Sequence, residues 1–260
     1  MKPGIEKYHY WVKEKFDIDL YSKPKQIYEY VSQKLFREFE NTEFWIEFQQ
    51  NLREYNDEYY LTNEYNLLKV EKIPLLLKSY DSLVNKTYRK NILLNKNFPD
   101  PPEYNWILPE NWFTSIKDLL RTSITVRYLD GVEFLANKIH ELCNKHSYLF
   151  EVEYEAREEG YYAAHVTIKK NSKIVDYNWD ENEILFPIEI QITTQLQEVI
   201  KSLLHKMYEE VRIADKEITS MKWQWDYKTK EFSSNYLGHI LHYVEGMILD
   251  VRDKQKSLTK

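Results

Sequence analysis

The 260-residue sequence contains a single cysteine, Cys143, and only 5 glycines. One cysteine excludes a disulfide framework and a cysteine-rich zinc site within one chain. The glycines form neither GxGxxG nor GxxxxGK[ST], so the phosphate-binding loops of Rossmann and P-loop proteins are lacking. No run approaches the roughly 18 apolar residues of a membrane span, and the N-terminal residues have no apolar core of signal-peptide length. We therefore expect a cytoplasmic protein without a membrane segment.

Charge and hydrophobicity narrow the class of protein further. The 36 basic and 42 acidic side chains give a net charge of −6, which argues against a protein that coats nucleic acid. A hydrophobic fraction of 43%, of which aromatic residues are a large part, is ample for a buried core. The composition thus predicts a folded, globular protein.

The stretch from Pro187 to Tyr208 changes its apolar period midway. Its first part alternates isoleucine with polar residues, which indicates a strand. From Thr194 the apolar residues recur at helical spacing, which predicts an amphipathic helix directly after the strand. Glu189 is then a carboxylate on a rigid strand near a helix junction, a suitable place for a catalytic or metal-binding acid. The alternative is a solvated side chain on an edge strand, as for most strand glutamates.

Cap and turn signals divide the rest of the chain into helices and strands. Ser22 with Pro24 is typical of a helix start, and a second helix is predicted from Thr42. Gly131 predicts a tight turn. The remaining predicted elements are a strand over Leu119–Val126, a helix over Val132–Cys143, strands over Tyr148–Tyr154 and Tyr161–Ile168, a hairpin or loop over Lys169–Asp180, and a C-terminal helix that includes Tyr236–Ile248. This order predicts an α+β fold with a mixed β-sheet flanked by helices.

Two groups of side chains are candidates for binding. The segment from Lys86 to Lys96 also carries Arg89 and Lys90, which suit a clamp on nucleotide phosphates or, alternatively, a solvated helix face. His239 and His242 are one helical turn apart and could chelate a metal. No third ligand follows at a suitable spacing, so a packing or surface role is favoured for these histidines.

Three motifs in this order resemble those of the RelA/SpoT synthetase family. EIQITT, from Glu189, is followed by His205 and Tyr208, as EIQIRT is in that family; GYYAAH, from Gly160, is similar to GYRSxH; and Asp118 resembles the metal-binding aspartate. The resemblance covers about residues 80–212 and implies a nucleotidyltransferase-like core. We therefore expect an N-terminal helical region over 1–80, a synthetase core over 81–212 and a C-terminal helical extension over 213–260.

The resemblance also implies an activity and a set of site residues. It implies a pyrophosphokinase that transfers pyrophosphate from ATP to the 3′-hydroxyl of a guanine nucleotide, which is the synthesis of the alarmone (p)ppGpp. Asp118 and Glu189 would be the catalytic residues and would bind Mg²⁺ or Mn²⁺, with Glu189 as second ligand or as the base. The residues implied for ATP are Arg89, Lys90, Lys96 and Arg121. Those implied for the acceptor are Tyr161, His165, Gln191 and His205, with Tyr161 stacked on the guanine ring.

Departures from the family pattern leave alternatives open. Thr193 stands in place of the arginine of EIQIRT, and Tyr162 and Ala163 replace the arginine and serine of GYRSxH. One alternative is a toxin that pyrophosphorylates the 3′ end of tRNA, which would bring a protein antitoxin as partner. Another is a catalytically inactive binding or regulatory module. Retention of both acids favours an enzyme, because two unneutralised carboxylates in one cavity are costly without a function.

Overall fold

The computed structural model of the chain describes residues 2–69, 73–176, 180–202 and 222–258. The five strands are β1 (Leu75–Leu77), β2 (Leu120–Val126), β3 (Leu149–Ala156), β4 (Tyr162–Val175) and β5 (Glu181–Thr194). They form one mixed sheet in the order β1-β2-β5-β4-β3, and helices flank this sheet. The prediction of an α+β fold is confirmed.

Most of the described helices carry an apolar stripe. They are α1 (Tyr8–Phe16), α2 (Lys23–Glu40), α3 (Glu43–Asn63), α4 (Tyr80–Tyr88), α5 (Trp112–Ser115), α6 (Leu129–Lys145), α7 (195–202, up to the end of that described range) and α8 (Lys230–Leu258). A π turn over Arg89–Leu93 follows α4. Within the described ranges no helix is both long enough and apolar enough to cross a membrane.

The chain divides into two compact units. Unit 1 comprises Met1–Trp45, Leu75–Arg121 and Thr167–Glu189; unit 2 comprises Ile46–Pro74, Thr122–Val166 and Ile190–Lys260. The sequence region 1–80 therefore contributes residues to both units, and the region 213–260 falls in unit 2. The three regions expected from the sequence remain a prediction, whereas the two units are a division by compactness.

Aromatic packing organises unit 1. The Tyr28 ring of α2 lies 5.6 Å from that of Tyr80 and 6.2 Å from that of Trp112, measured between ring centroids. All three side chains are buried, and edge-on contacts of this kind stabilise a core beyond simple area burial. The Tyr28 hydroxyl also donates a hydrogen bond of 2.6 Å to the backbone oxygen of Lys78. The helical core of unit 1 thus fixes the backbone directly after β1.

One local prediction is wrong, and two agree with the structure only in part. Gly131 makes no tight turn but lies in the first turn of α6, where a Cβ would come 2.7 Å from Leu67 Cδ1; close packing requires the glycine there. Most of the predicted hairpin or loop over 169–180 continues β4, which ends only at Val175. Ser22 precedes α2 as expected, but its side chain forms no cap and donates instead to the Asp19 backbone oxygen at 2.9 Å.

A partly buried ion pair fixes α8 within unit 2. Arg252 of α8 donates to Asp130 of α6 with an N–O distance of 2.6 Å, and the Tyr59 hydroxyl donates to the same carboxylate at 2.7 Å. Arg252 is buried, and it also donates to the Tyr59 hydroxyl at 2.9 Å. Because the guanidinium, carboxylate and hydroxyl satisfy one another, this network can be buried without orphaned polar groups.

The other end of α8 crosses the loop before β4 at two glycines. Gly160 has φ +79°, the left-handed region that favours glycine, and a Cβ added at Gly238 would overlap with the Gly160 carbonyl group. The two backbones can approach this closely only because neither residue has a side chain. Gly246, further along α8, has open space around it.

The two glycines of α8 give a matched pair of substitutions. Gly238→Ala should lower the free energy of unfolding by about 1–3 kcal/mol, because the methyl group overpacks the contact with Gly160. Gly246→Ala should raise it by about 0.5–1 kcal/mol through helix propensity alone. Urea unfolding followed by circular dichroism measures both. Equal effects of the two substitutions would contradict the close helix contact.

Candidate active site

A buried aspartate lies between two lysines in unit 1. Asp118 precedes β2 and is buried; its Oδ2 is 2.9 Å from Lys78 Nζ, and its Oδ1 is 2.8 Å from Lys86 Nζ. The side chains of Asp118 and Lys78 are both only 9% exposed, so this ion pair is shielded from water. Two ammonium groups thus compensate one buried carboxylate, as a charge in low dielectric requires.

The charges around Asp118 set its protonation state. Burial on its own would raise the pKa of Asp118, but the charges of Lys86 and Lys78 outweigh burial and lower the pKa to about 2. Burial also lowers the pKa of Lys78, an effect that Asp118 opposes and that Lys86 and Arg121 strengthen. Asp118 is therefore ionised at neutral pH. The cluster of Asp118 with its lysines carries a net positive charge, which suits an anionic ligand.

Backbone contacts of the adjoining strands hold Lys78 in this position. The Lys78 amide donates a hydrogen bond of 2.9 Å to the Leu119 backbone oxygen, and the Lys78 oxygen accepts from Tyr28. Directly after Lys78, Ser79 caps α4, since its side chain accepts from the Ser82 amide. This cap starts the helix that carries Lys86. Backbone hydrogen bonds thus fix the position of Lys78, and the cap fixes the start of the helix that carries Lys86.

The π turn after α4 presents further basic side chains. The buried side chain of Asn91 stabilises this turn by donating to the Ile107 oxygen and accepting from the Ile107 amide, both at 2.9 Å. Arg89 and Lys90 lie at the start of the turn. Although Lys90 is exposed as a whole, partial burial of its ammonium group and then the charge of Lys86 lower its pKa, and Asp118 opposes this shift. Local π-helical turns are frequent at functional sites.

The predicted ATP-binding residues have different surroundings. Arg121 lies in β2 and is close enough to Lys78 to lower the pKa of that lysine. Arg89 likewise influences Lys90. Lys96 is exposed beyond the π turn. Arg89, Lys90 and Arg121 therefore share the electrostatic environment of the Asp118 cluster, and all four assignments stay predictions.

Glu189 is buried in β5, the strand next to β2 in the sheet. It is 8% exposed, so it is not a solvated side chain on an edge strand. Like Asp118 it belongs to unit 1. A buried strand glutamate beside the strand that follows Asp118 is consistent with the catalytic and metal-binding role predicted from the sequence, which remains a prediction.

The predicted acceptor residues Tyr161 and His165 are neighbours in unit 2. The Tyr161 hydroxyl is 3.4 Å from His165 Nε2, and the Arg157 guanidinium lies 5.2 Å from the centre of the Tyr161 ring. Glu155 joins the group: it accepts a 2.6 Å hydrogen bond from Arg157 and lies 2.9 Å from His165 Nε2. Arg157 therefore covers part of the ring that the sequence prediction assigns to base stacking.

The remaining predicted residues of the site have different surroundings. Gln191 accepts a hydrogen bond of 3.4 Å from Lys201 of α7. His205 lies outside the described residues. His239 and His242 of α8 both contact Tyr162: His239 Nδ1 is 2.8 Å from its hydroxyl, and the His242 ring stacks on its ring at 3.6 Å with an interplanar angle of 4°. The packing role favoured for these two histidines matches their contacts.

Both oxygens of Asp118 lie within 2.9 Å of a lysine ammonium group, so a metal ion at Asp118 would have to share them with these cations. Carboxylate oxygens are the ligands that Mg²⁺ prefers. No group of three His, Cys, Asp or Glu side chains forms a metal site in the part of the chain that the structure describes. A metal held by Asp118 and Glu189 would therefore need the oxygens of a nucleotide.

Lys78 is the site residue that the sequence reasoning missed. It follows a strand of three residues that pairs with β2, and neither that strand nor its pairing was predicted. The one available signal was a lysine at the end of an apolar run, directly before the helix cap at Ser79. Such a signal is common and does not reveal that the lysine meets Asp118, 40 residues later.

Removing Lys78 should expose how strongly the ion pair contributes to folding. Lys78→Met should lower the free energy of unfolding by about 3 kcal/mol, the low end for breaking a buried ion pair, because Lys86 still compensates Asp118. In the Lys78→Met/Asp118→Asn double variant the loss should shrink, since both buried charges of the pair are removed and the remaining Lys86 is 29% exposed. The control is Lys254→Ala, which breaks an exposed pair with Asp250 on α8 and should change stability by less than about 1 kcal/mol. Urea unfolding gives all values; equal effects of Lys78→Met and Lys254→Ala would contradict the buried pair.

Comparison with solved structures relates this fold to known enzymes. The chain is similar to small alarmone synthetase 2 from Bacillus subtilis, with a TM-score of 0.50, 18% identity, and coverage of 88% of this chain and 97% of that one. It is also similar to small alarmone synthetase 1 from Bacillus subtilis, solved with its product pppGpp, with a TM-score of 0.52, 13% identity, and coverage of 86% and 99%.

Sequence comparisons add no further relative. No protein-family model matches the chain, and no curated protein matches it. At identities of 13% and 18% the structural similarity concerns the fold, which extends over nearly the whole length of both synthetases. The chain therefore has the fold of the small alarmone synthetases, as the resemblance of its motifs to the RelA/SpoT synthetase family implies.

Proposed function

We propose that this protein is a pyrophosphokinase that transfers pyrophosphate from ATP to the 3′-hydroxyl of a guanine nucleotide. The observation that carries the proposal is Asp118, buried and ionised between Lys78 and Lys86 in a fold shared with small alarmone synthetases. Solved small alarmone synthetase 1 holds pppGpp, a guanine nucleotide of this kind. The basic residues around Asp118 suit the polyphosphate of ATP.

The reaction requires few groups from the protein. The 3′-oxygen of the acceptor forms a bond to the β-phosphorus of ATP, and the bond from that phosphorus to the bridging oxygen breaks, so AMP leaves with the electron pair. Glu189 takes the proton of the attacking hydroxyl. Lys78, Lys86 and Arg121 stabilise the negative charge of the phosphates by fixed positive charge, which is the main contribution a protein makes to phosphoryl-type transfer.

The proposed cofactor is Mg²⁺ or Mn²⁺. Asp118 and Glu189 are the residues that would hold it, together with oxygens of ATP. When bound, such an ion neutralises charge on the transferred phosphates. Its requirement is testable without a variant: chelation with EDTA should abolish transfer, and excess Mg²⁺ should restore it. Full activity in exhaustively chelated protein would refute the proposed metal role.

The two carboxylates should both be essential to transfer. Asp118→Asn and Glu189→Gln should each reduce the transfer of label from ATP to GDP or GTP by at least about a hundredfold, because charge stabilisation and proton removal each contribute that much. The amides preserve side-chain volume, and circular dichroism checks the fold. Asp250→Asn, an exposed acid on α8, is the matched control and should retain full activity. Near-normal transfer by Glu189→Gln would remove Glu189 from the mechanism.

The identity of the acceptor is tested in the same assay. Thr193 and Tyr162 each stand where the family motif has an arginine, so the acceptor motifs lack two cations. The 3′ end of tRNA therefore remains a second candidate acceptor. Label that appears in tRNA and not in guanosine products would identify tRNA as the acceptor in place of the nucleotide. Transfer to tRNA should also fall steeply with rising salt concentration, because phosphate contacts release counterions. No label in any acceptor would favour an inactive binding module.

Tyr161 provides a separate test of acceptor binding. If a base stacks on its ring, Tyr161→Ala should weaken acceptor binding by roughly 1–3 kcal/mol and leave ATP binding nearly unchanged. Arg157 already lies over the ring, so Arg157→Ala should not abolish stacking and serves as the control. Isothermal titration with the acceptor and with a non-hydrolysable ATP analogue measures both affinities. Unchanged acceptor affinity in Tyr161→Ala would exclude stacking.

A further inference from the structure

Unit 2 contains a pocket of about 220 Å³ between α8 and the ends of β3, β4 and β5. Its apolar wall includes Leu129, Val132 and Ala164, and its polar wall includes Glu155, Thr193 and Glu245. A cavity of about 150 Å³ is large enough for benzene. The pocket therefore has room for a ring that carries polar substituents.

The carboxylate of Glu245 projects from α8 into this pocket without a cation as partner. Its side chain is only 4% exposed, and neither oxygen has a hydrogen bond of good geometry to a described residue. Burial raises the pKa of Glu245 to about 7, and weak hydrogen bonds from the side chains of Thr194 and Gln197 oppose this rise only in part. A buried carboxyl group without a cation or a good hydrogen bond is costly. Since costly groups of this kind occur mainly at functional sites, Glu245 points to a ligand.

No neighbouring cation satisfies Glu245 in the described part of the chain. His242 Nδ1 is 3.6 Å from Glu245 Oε2, but burial and then the nearby His239 lower the pKa of His242, so its ring is neutral near pH 7. Glu155, the second acid of the pocket, already has Arg157 at 2.6 Å. The unsatisfied negative charge of the pocket is therefore that of Glu245.

Two further features define the shape and polarity of a ligand. The rings of Tyr162 and His242 stack 3.6 Å apart, and both residues line the pocket. One wall of the pocket is therefore flat. Thr193 Oγ1 is buried and has no hydrogen-bond partner among the described residues. The pocket thus offers a carboxylate, a hydroxyl and a flat apolar surface, and two glutamates in its lining repel anions.

We infer that this pocket is a binding site for a small flat ligand with two neighbouring N–H donors, held by the two carboxylate oxygens of Glu245. A carboxylate accepts two parallel N–H bonds in a bidentate pair, as it does from a guanidinium group. An amidinium cation and the N–H edge of a guanine-type base both present this donor pair. The inference stands on the pocket alone and does not depend on the proposed transferase activity.

The binding test uses benzamidinium and guanosine as probes and benzoate as a shape-matched anion. Titration calorimetry at pH 8 with the full chain should detect benzamidinium, guanosine or both, with dissociation constants in the millimolar range expected of such small ligands, and no binding of benzoate. Benzamidinium binding alone identifies a cation site, and guanosine binding identifies a base site. Absence of both interactions, or equal binding of benzoate, would overturn the inference.

Variants connect the binding to Glu245. Glu245→Gln should weaken the bound probe about tenfold or more by loss of the charged acceptor, and Thr193→Val should weaken it less. Asp250→Asn removes an exposed charge from the same helix and should leave affinity unchanged. Unaltered affinity in a folded Glu245→Gln variant would refute the site.

The pH dependence gives a readout that mere structural damage would not imitate. For a carboxyl group with a pKa of about 7, probe affinity should fall about tenfold from pH 8 to pH 6 as Glu245 is protonated. The other titratable groups that face it are His242, whose pKa is lowered by burial and by the nearby His239, and Glu155, which pairs with Arg157. The folded state should also lose stability as pH rises through 7 in the wild type and not in Glu245→Gln, because ionisation is penalised only where the pKa is raised. A flat affinity profile between pH 6 and pH 8 would contradict the assignment.

Discussion

The neutralisation of Asp118 by Lys78 and Lys86 is the interaction on which the candidate active site depends. A carboxylate that is 9% exposed can remain ionised only if positive charge lies next to it. The pairing of β1 with β2 brings Lys78 to the carboxylate, and the cap at Ser79 starts the helix that brings Lys86. The short strand, the cap and the buried aspartate are thus parts of one arrangement. Loss of any of them would disturb the balance of charge in the core of unit 1.

Unit 2 shows the opposite balance of charge. There the carboxylate without a compensating cation is Glu245, whereas Asp130 has Arg252 and Glu155 has Arg157. The histidines that resemble a chelating pair in the sequence are used to hold Tyr162, one by a hydrogen bond and one by stacking. Their contacts depend on the position of α8, which the glycine crossing at Gly160 and Gly238 allows. Packing of one helix therefore explains both the histidines and the buried acid.

The periodicity of apolar residues predicted individual strands and helices. The features that it missed depend on contacts between residues far apart in the sequence. The alternation around Glu189 and the helical spacing after Thr194 correspond to β5 and α7, since both patterns depend only on neighbouring residues. Lys78 and Glu245 were not predicted because their significance comes from residues far away in the sequence, Asp118 for one and the pocket lining for the other. The failed turn at Gly131 has the same origin: the glycine serves a contact with Leu67, not a local bend. Sequence motifs could name Asp118 and Glu189, but not the charges that surround them.

The departures from the family motifs and the chemistry of the unit 2 pocket support each other. Thr193 and Tyr162 stand where the family pattern has arginine, and both line the pocket that Glu245 makes acidic. Neither residue brings a positive charge to the lining that holds Glu245. The pocket therefore favours N–H donors over phosphate. The same two substitutions that weaken the resemblance to a phosphate-binding motif therefore create the conditions for a different ligand.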